Sequence, residues 1–295
     1  MQIDLDGAAR FMATHARLLD RRRFELLTGD GDADALLAAL GGYGNRAGGY
    51  GWGLEPDLRS PESQPGGALH ALEVFEDIAP ATDPRAVALC DWLETVTLAG
   101  GGLPFALPVT DAAGCAPFWA RADPAVSSLQ ITSVVAAIAH RVGVHDAAVA
   151  SHPWLARATR YCLRAIDEID GVPHALALTF ALQLLDAVHG THPEAEALLG
   201  RLGGHIPAGG LMHVGGGADD EFMRPLDFAP TPGRPLRALF TPDAIAAELQ
   251  RLVDQQQQDG GWPVDFAAYS PAATLEWRGH MTVHAISILQ RNAII

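Results

Sequence analysis

Two kinds of helical segment alternate along this chain, and they differ in where their apolar residues fall. The first kind is apolar on one face only. After Asp83-Pro84, a cap followed by a first-turn proline, Leu89, Leu93 and Val96 share a face. After Thr241-Pro242, apolar residues at Ile245, Leu249, Leu252 and Val253 keep the period of a one-sided helix. Pro153 opens a third such segment, with Leu155, Cys162, Ile166 and Ile169 in register. The second kind, at 129–142, 174–188 and 275–289, is apolar nearly all round. A helix without a polar face must be buried. The alternation predicts an all-α protein in which an outer layer of amphipathic helices surrounds an inner layer of apolar ones.

A Gly-Gly element followed by a larger residue precedes the inner segments: Gly48-Gly49-Tyr50, Gly101-Gly102-Leu103, Gly203-Gly204-His205 and Gly260-Gly261-Trp262. The copies lie about 50 residues apart, or twice that where a copy near Gly171 is missing; a period of this length with two helices each indicates a helical-hairpin array. Five or six hairpins result, an all-α toroid of helical hairpins in a single domain over 1–295. Glycines suit the ends of the outer helices, where the chain needs positive φ. The stretch 203–235 is rich in Gly and Pro with little helical pattern, so it is either a functional loop or a place where an element is hidden.

The run Gln255-Gln256-Gln257-Gln258-Asp259-Gly260-Gly261-Trp262 resembles the QW motif of the squalene and terpenoid cyclase superfamily, which includes the protein prenyltransferase β-subunits. The segment Asn45-Arg46-Ala47-Gly48-Gly49-Tyr50-Gly51-Trp52 looks like a degenerate copy without the glutamine. The resemblance implies an (α/α)6 barrel with a ligand cavity at one end, lined by inner-helix N-termini and the loops before them. In that superfamily the motif is structural, and a fold does not fix a reaction. The cyclases' D-x-D-D acid motif is absent; Asp30-Gly31-Asp32 and Asp32-Ala33-Asp34 come closest and suit a turn or cap. Asp219-Asp220-Glu221-Phe222-Met223 stops short of the D-D-x-x-D that holds diphosphate-bound magnesium. The Asp, Cys and His that hold zinc in protein prenyltransferases have no motif counterpart here.

Composition narrows the chemistry. All 20 basic residues are arginine, which removes Schiff-base, P-loop and protein-kinase lysine chemistry. With a net charge of −15 and no basic patch beyond Arg21-Arg22-Arg23, read as a solvated helix face, nucleic acid is not an expected partner. No stretch reaches the ~18 apolar residues of a membrane span, and the N-terminus lacks a secretory pattern. Cys90, Cys115 and Cys162 are isolated, which fits a reducing compartment. The expectation is a soluble, cytoplasmic protein without a cofactor.

Candidate chemistry concentrates at two matching places. Glu55, Asp57 and Arg59 follow the first Gly-Gly-Tyr beside Trp52, and Glu276, Trp277 and Arg278 follow the last Gly-Gly-Trp262. Each block offers a carboxylate, an arginine and a tryptophan where the mouth of a toroid would be. Carboxylates entering one apolar cavity can be pushed apart in pKa, one acting as acid and one as base; the alternative is a salt-bridge network that pins loops over the barrel end. Asp227 beside Phe228 in the irregular stretch is a further candidate, or else a turn-forming aspartate. His280 and His284 share a helix face at a spacing that suits two metal ligands, but no third ligand is identifiable, so no metal is expected.

The function these residues suggest is a terpenoid-cyclase-like isomerase or lyase. Asp57, Glu55, Asp227 or Glu276 would protonate an isoprenoid or other hydrophobic small molecule, with Trp52, Arg59, Phe228, Trp262, Trp277 and Arg278 binding it. Two alternatives stand beside it: a non-catalytic toroid that binds a small molecule or peptide, and a glycan-processing α/α-toroid enzyme using two carboxylates and stacking tryptophans.

Overall fold

The computed structural model describes residues 3–295. Along the chain run α1 (Leu5–His15), α2 (Leu18–Thr28), α3 (Ala33–Gly41), α4 (Pro65–Asp77), α5 (Pro84–Val96), the one-turn α6 (Pro117–Ala120), α7 (Leu129–Gly143) and the one-turn α8 (Ala147–Ala150). There follow α9 (Pro153–Asp167), α10 (Ala175–Val188), α11 (Glu194–Gly203), the one-turn α12 (Pro225–Phe228), α13 (Pro242–Asp254) and α14 (Pro271–Arg291). Among the described residues the protein is all-α apart from one short hairpin. The stretch 203–235 hides that hairpin, β1 (Met212–His213) antiparallel to β2 (Phe222–Met223), together with α12. Two-residue strands are too short to show an alternating pattern in sequence.

The helix starts follow from local chemistry. Asp83 and Thr241 cap α5 and α13, each ahead of a proline at the first position. Among the all-round apolar segments, α10 buries Leu178, Leu182, Leu184 and Leu185 completely, each contributing roughly 1.5–3 kcal/mol. Helix α7 packs on α4, α9 and α10; α10 packs on α11 and α12; α14 packs on α1, α2 and α13; and α2 packs on α3 and α4. One expectation for α2 is corrected. Arg21 and Arg22 pair with Glu25 at its half-exposed edge, but Arg23 is buried and ion-paired to α4.

Three of the four Gly-Gly copies share one construction. Gly48, Gly101 and Gly260 have φ of +91°, +95° and +93°. Each lies against the backbone of another helix: α5 at Ala88, α9 at Arg157 and α1 at Gly7. The second glycine lies under the aromatic ring four residues further along that helix: Gly49 under Trp92, Gly102 under Tyr161 and Gly261 under Phe11. The next residue is buried, and in two copies its N–H donates to a threonine of the following helix, Leu103 to Thr132 at 2.9 Å and Trp262 to Thr282 at 3.1 Å. Gly203-Gly204-His205 is not a fourth copy: Gly203 ends α11 and Gly204 has φ −63°. Gly171 has positive φ but touches no other helix.

Among the described residues no helix is long and apolar enough to cross a membrane.

Candidate functional site

The segment after the first Gly-Gly is tied on two sides. Its backbone pairs with the loop before α6, where Ala116 N–H donates to the Asp57 carbonyl at 2.8 Å and Arg59 N–H to that of Gly114 at 3.2 Å. Its side chains reach α14. The Asp57 carboxylate accepts from the Tyr269 backbone N–H at 2.8 Å and from the Trp277 indole at 2.9 Å, and Arg59 donates to Glu276 at 2.6 Å. Burial raises the Asp57 pKa, the two hydrogen bonds oppose the rise, and the nearby Glu55 and Glu276 add to it. The first and last carboxylate–arginine–tryptophan blocks therefore meet, though not in full. Arg278 turns to its own loop, binding Asp259 at 2.8 Å and Gln257 at 2.7 Å, with its guanidinium over Phe11.

Beneath this seam lies a charged array that the sequence reading misses. His70 Nε2 is 3.1 Å from Glu55 and Nδ1 is 3.0 Å from Glu73. Burial alone would lower the His70 pKa; the Glu73 charge and the bonds to both carboxylates overcome it and lift it to about 9. Arg23 binds Asp77 at 2.6 Å and lies 3.3 Å from both Glu73 and His280 Nδ1. Burial holds the His280 pKa well below the usual value, and the Glu73 charge only partly offsets it. The rings of His70, Trp277 and His280 meet edge to face, with centroids 5.3 to 5.6 Å apart. The signal available in sequence was the His70–Glu73 spacing, which puts both side chains on one face of α4.

These groups are not sealed in. The side chains of Glu73, Asp77 and His280 keep 22%, 26% and 12% of their surface open to solvent. On α14, Trp277, His280, Met281 and His284 form one partly exposed stripe at helical spacing. The helix is not buried all round as its apolar content suggested, because its first turns are open, with Leu275 42% exposed; burial is confined to Ala273, Gly279 and the face of Thr282, Val283, Ala285, Ile286, Ile288 and Leu289. Ligand atoms of His70, Glu73 and His280 lie within 4.8 Å of one another, so His280 finds two potential co-ligands on α4, where the sequence pairs it only with His284.

Asp227 belongs to a different place. With Leu226, Arg251, Trp262, Met281 and His284 it lines a cavity of about 20 Å³, room for one or two waters. One Asp227 oxygen accepts from the Arg224 backbone N–H at 2.7 Å; among the described residues the carboxyl has no salt bridge and its other oxygen no hydrogen bond. Burial lifts its pKa to about 7, against the pull of that bond. The indole N–H of Trp262 is satisfied by the Leu252 carbonyl at 2.8 Å, leaving the ring as an apolar wall. Phe228 is buried against Phe240 rather than facing this cavity, and Trp52, 58% exposed, is anchored to Asn45 at the surface.

No protein-family model matches this chain, and no curated protein matches it.

Proposed function

We propose that the chain is a closed α/α toroid of the terpenoid cyclase type, and that Asp227 is the proton donor of an enzyme acting on a hydrophobic small molecule. The Gly-Gly construction supports the closure. The unit after α3 packs on α5 and the unit after α5 packs on α9, the next amphipathic helix each time; the unit after α13 packs on α1. That is the step a ring makes when it returns to its start.

One observation carries the chemistry: an Asp227 oxygen without a hydrogen bond among the described residues, beside a cavity whose wall joins Trp262, Leu252 and Met281 to Arg251, Asp265 and His284. A carboxyl held near neutral pKa by burial and by the neighbouring Asp265 and Glu248 charges can donate its proton at physiological pH. The proton adds to an alkene or epoxide carbon or oxygen, leaving the Asp227 carboxylate and a carbocation shielded by the indole face. The Asp265 carboxylate, 3.5 Å from Arg251 on the same cavity wall, takes the final proton. The enclosed room is small, so only the reacting end of the substrate enters it. Asp57, Glu55 and Glu276, all partnered at the seam, pin the loops and do not donate.

A panel of acyclic and epoxidised isoprenoids incubated in D2O tests this. Wild type should release products carrying deuterium at the protonated carbon, and Asp227→Asn should fold and release none. Products unchanged by Asp227→Asn would refute the assignment. The second reading, a binding toroid without catalysis, is favoured by the small cavity and by seam carboxylates that each have a partner; it predicts that the panel binds and returns unaltered.

A further inference from the structure

We propose that His70, Glu73 and His280 form a binding site for one divalent first-row transition-metal ion, facing the partly exposed stripe of α14. The inference does not rest on the Asp227 chemistry. Two imidazoles and one carboxylate are a ligand set that such ions favour, and here they come from two separate helices, α4 and α14, with their ligand atoms within 4.8 Å of one another. A tetrahedral ion with bonds of about 2.0–2.1 Å would need these atoms roughly 3.3 Å apart. His70 Nδ1 and Glu73 Oε2 already stand at 3.0 Å, and His280 Nδ1 is 3.9 Å from the same Glu73 oxygen. Small side-chain rotations close the rest.

The surroundings have the features of a metal site. His70 presents Nδ1 to Glu73 while its other ring nitrogen, Nε2, is 3.1 Å from Glu55. A carboxylate behind a ligating histidine fixes its tautomer and orientation and strengthens it as a ligand. The partial exposure of Glu73 and His280 leaves room for water or a ligand atom to complete the coordination. Charge fits as well. The carboxylates Glu55, Glu73 and Asp77 gather around Arg23, His70 and His280, with Asp20 and Glu76 nearby, so carboxylates outnumber the one arginine.

Arg23 is the group in the way. Its Nη1 lies 3.3 Å from both Glu73 and His280, the position a cation seeks. Its Nε is held separately by Asp77 at 2.6 Å, so the Nη1 end can withdraw while that ion pair is kept. The guanidinium occupies the site in the absence of metal and makes way for it.

Cobalt(II) titration of the full chain is the test, with visible d–d absorption and calorimetry as readouts. Wild type should take up one equivalent and give a spectrum of low-symmetry nitrogen and oxygen ligation. Glu73→Gln and His280→Gln should each weaken binding by about 100-fold or more, and Glu55→Gln by about 10- to 100-fold, the range for an outer partner. His213→Gln, at an exposed histidine of the hairpin, should change nothing and controls for adventitious sites on an acidic surface. If Glu73→Gln does not fold, X-ray absorption of the cobalt-loaded wild type decides, with two imidazoles in the first shell expected. No stoichiometric uptake, or uptake indifferent to Glu73→Gln and His280→Gln, or a first shell without imidazole, overturns the proposal.

Discussion

Gly260 lies at φ +93° directly against the backbone of Gly7, and a Cβ there would overlap the Gly7 carbonyl group. The two residues join the loop before the last helix to the first helix of the chain. Gly260→Ala should therefore cost more than about 3 kcal/mol, the left-handed strain plus a displaced α1. Gly171→Ala, also at positive φ but in open space, should cost only roughly 1–2 kcal/mol. Urea unfolding of the two variants measures the difference; equal losses would mean that the contact with Gly7 contributes nothing.

The seam should be stabilised by Asp57 far more than by Arg59. Asp57→Ala strands two donors, the Trp277 indole and the Tyr269 N–H, for a loss of about 2–4 kcal/mol. The Arg59–Glu276 pair is 37% exposed at the arginine, so Arg59→Ala should lose at most about 1 kcal/mol. Denaturant midpoints, with Trp277 fluorescence as the local probe, separate the two.

Stability should fall with rising pH through Asp227. Its folded pKa, about 7, lies above the ordinary 3.8. The folded state thus holds the proton more tightly than the unfolded chain. The protonated carboxyl is best tolerated at low pH, and the penalty for ionising it grows between about 4 and 7 and then levels off. Asp227→Asn, which mimics the protonated form, should match wild type near the low end. Above neutrality it should exceed wild type by up to roughly 4 kcal/mol. A variant less stable than wild type at pH 8 would contradict this.

Leu178 lies on α10 with no exposed surface. Leu178→Asp places an unpaired charge in the core, at a cost of several kcal/mol that rivals the stability of a typical domain. The variant should be insoluble or unfolded by circular dichroism; a cooperative, soluble product would displace α10 from the interior.

Much of the helical plan was legible because period and capping are local. Asp83-Pro84, Thr241-Pro242 and Pro153 begin helices where the sequence places them, and the apolar segment at 174–188 is a buried helix. The meeting of Arg59 with Glu276 was legible from the matching position of the two blocks after their Gly-Gly units. What a residue touches across the chain was not. Arg23 looked like part of an exposed triplet, yet it finds Asp77 and Glu73 some 50 residues away, a partnership with no local signature. The same holds for the Gly-Gly copies. Gly203-Gly204 repeats the letters without the positive φ: Gly203 is still helical at the end of α11 and meets only the Leu239 side chain, not the backbone of another helix. Asp227 and Glu276 looked alike as carboxylates, and only packing separates the ion-paired Glu276 from Asp227, which is held by the Arg224 backbone N–H at the start of α12.

Whether Asp227 can be the proton donor is decided by its own titration. The side-chain carboxyl carbon of Asp227, assigned by its loss in Asp227→Asn, can be followed by 13C NMR against pH in the folded protein. A proton donor at this position should titrate with a midpoint near 7. A midpoint near the ordinary 3.8 would mean that Asp227 is ionised at neutral pH and cannot be the proton donor.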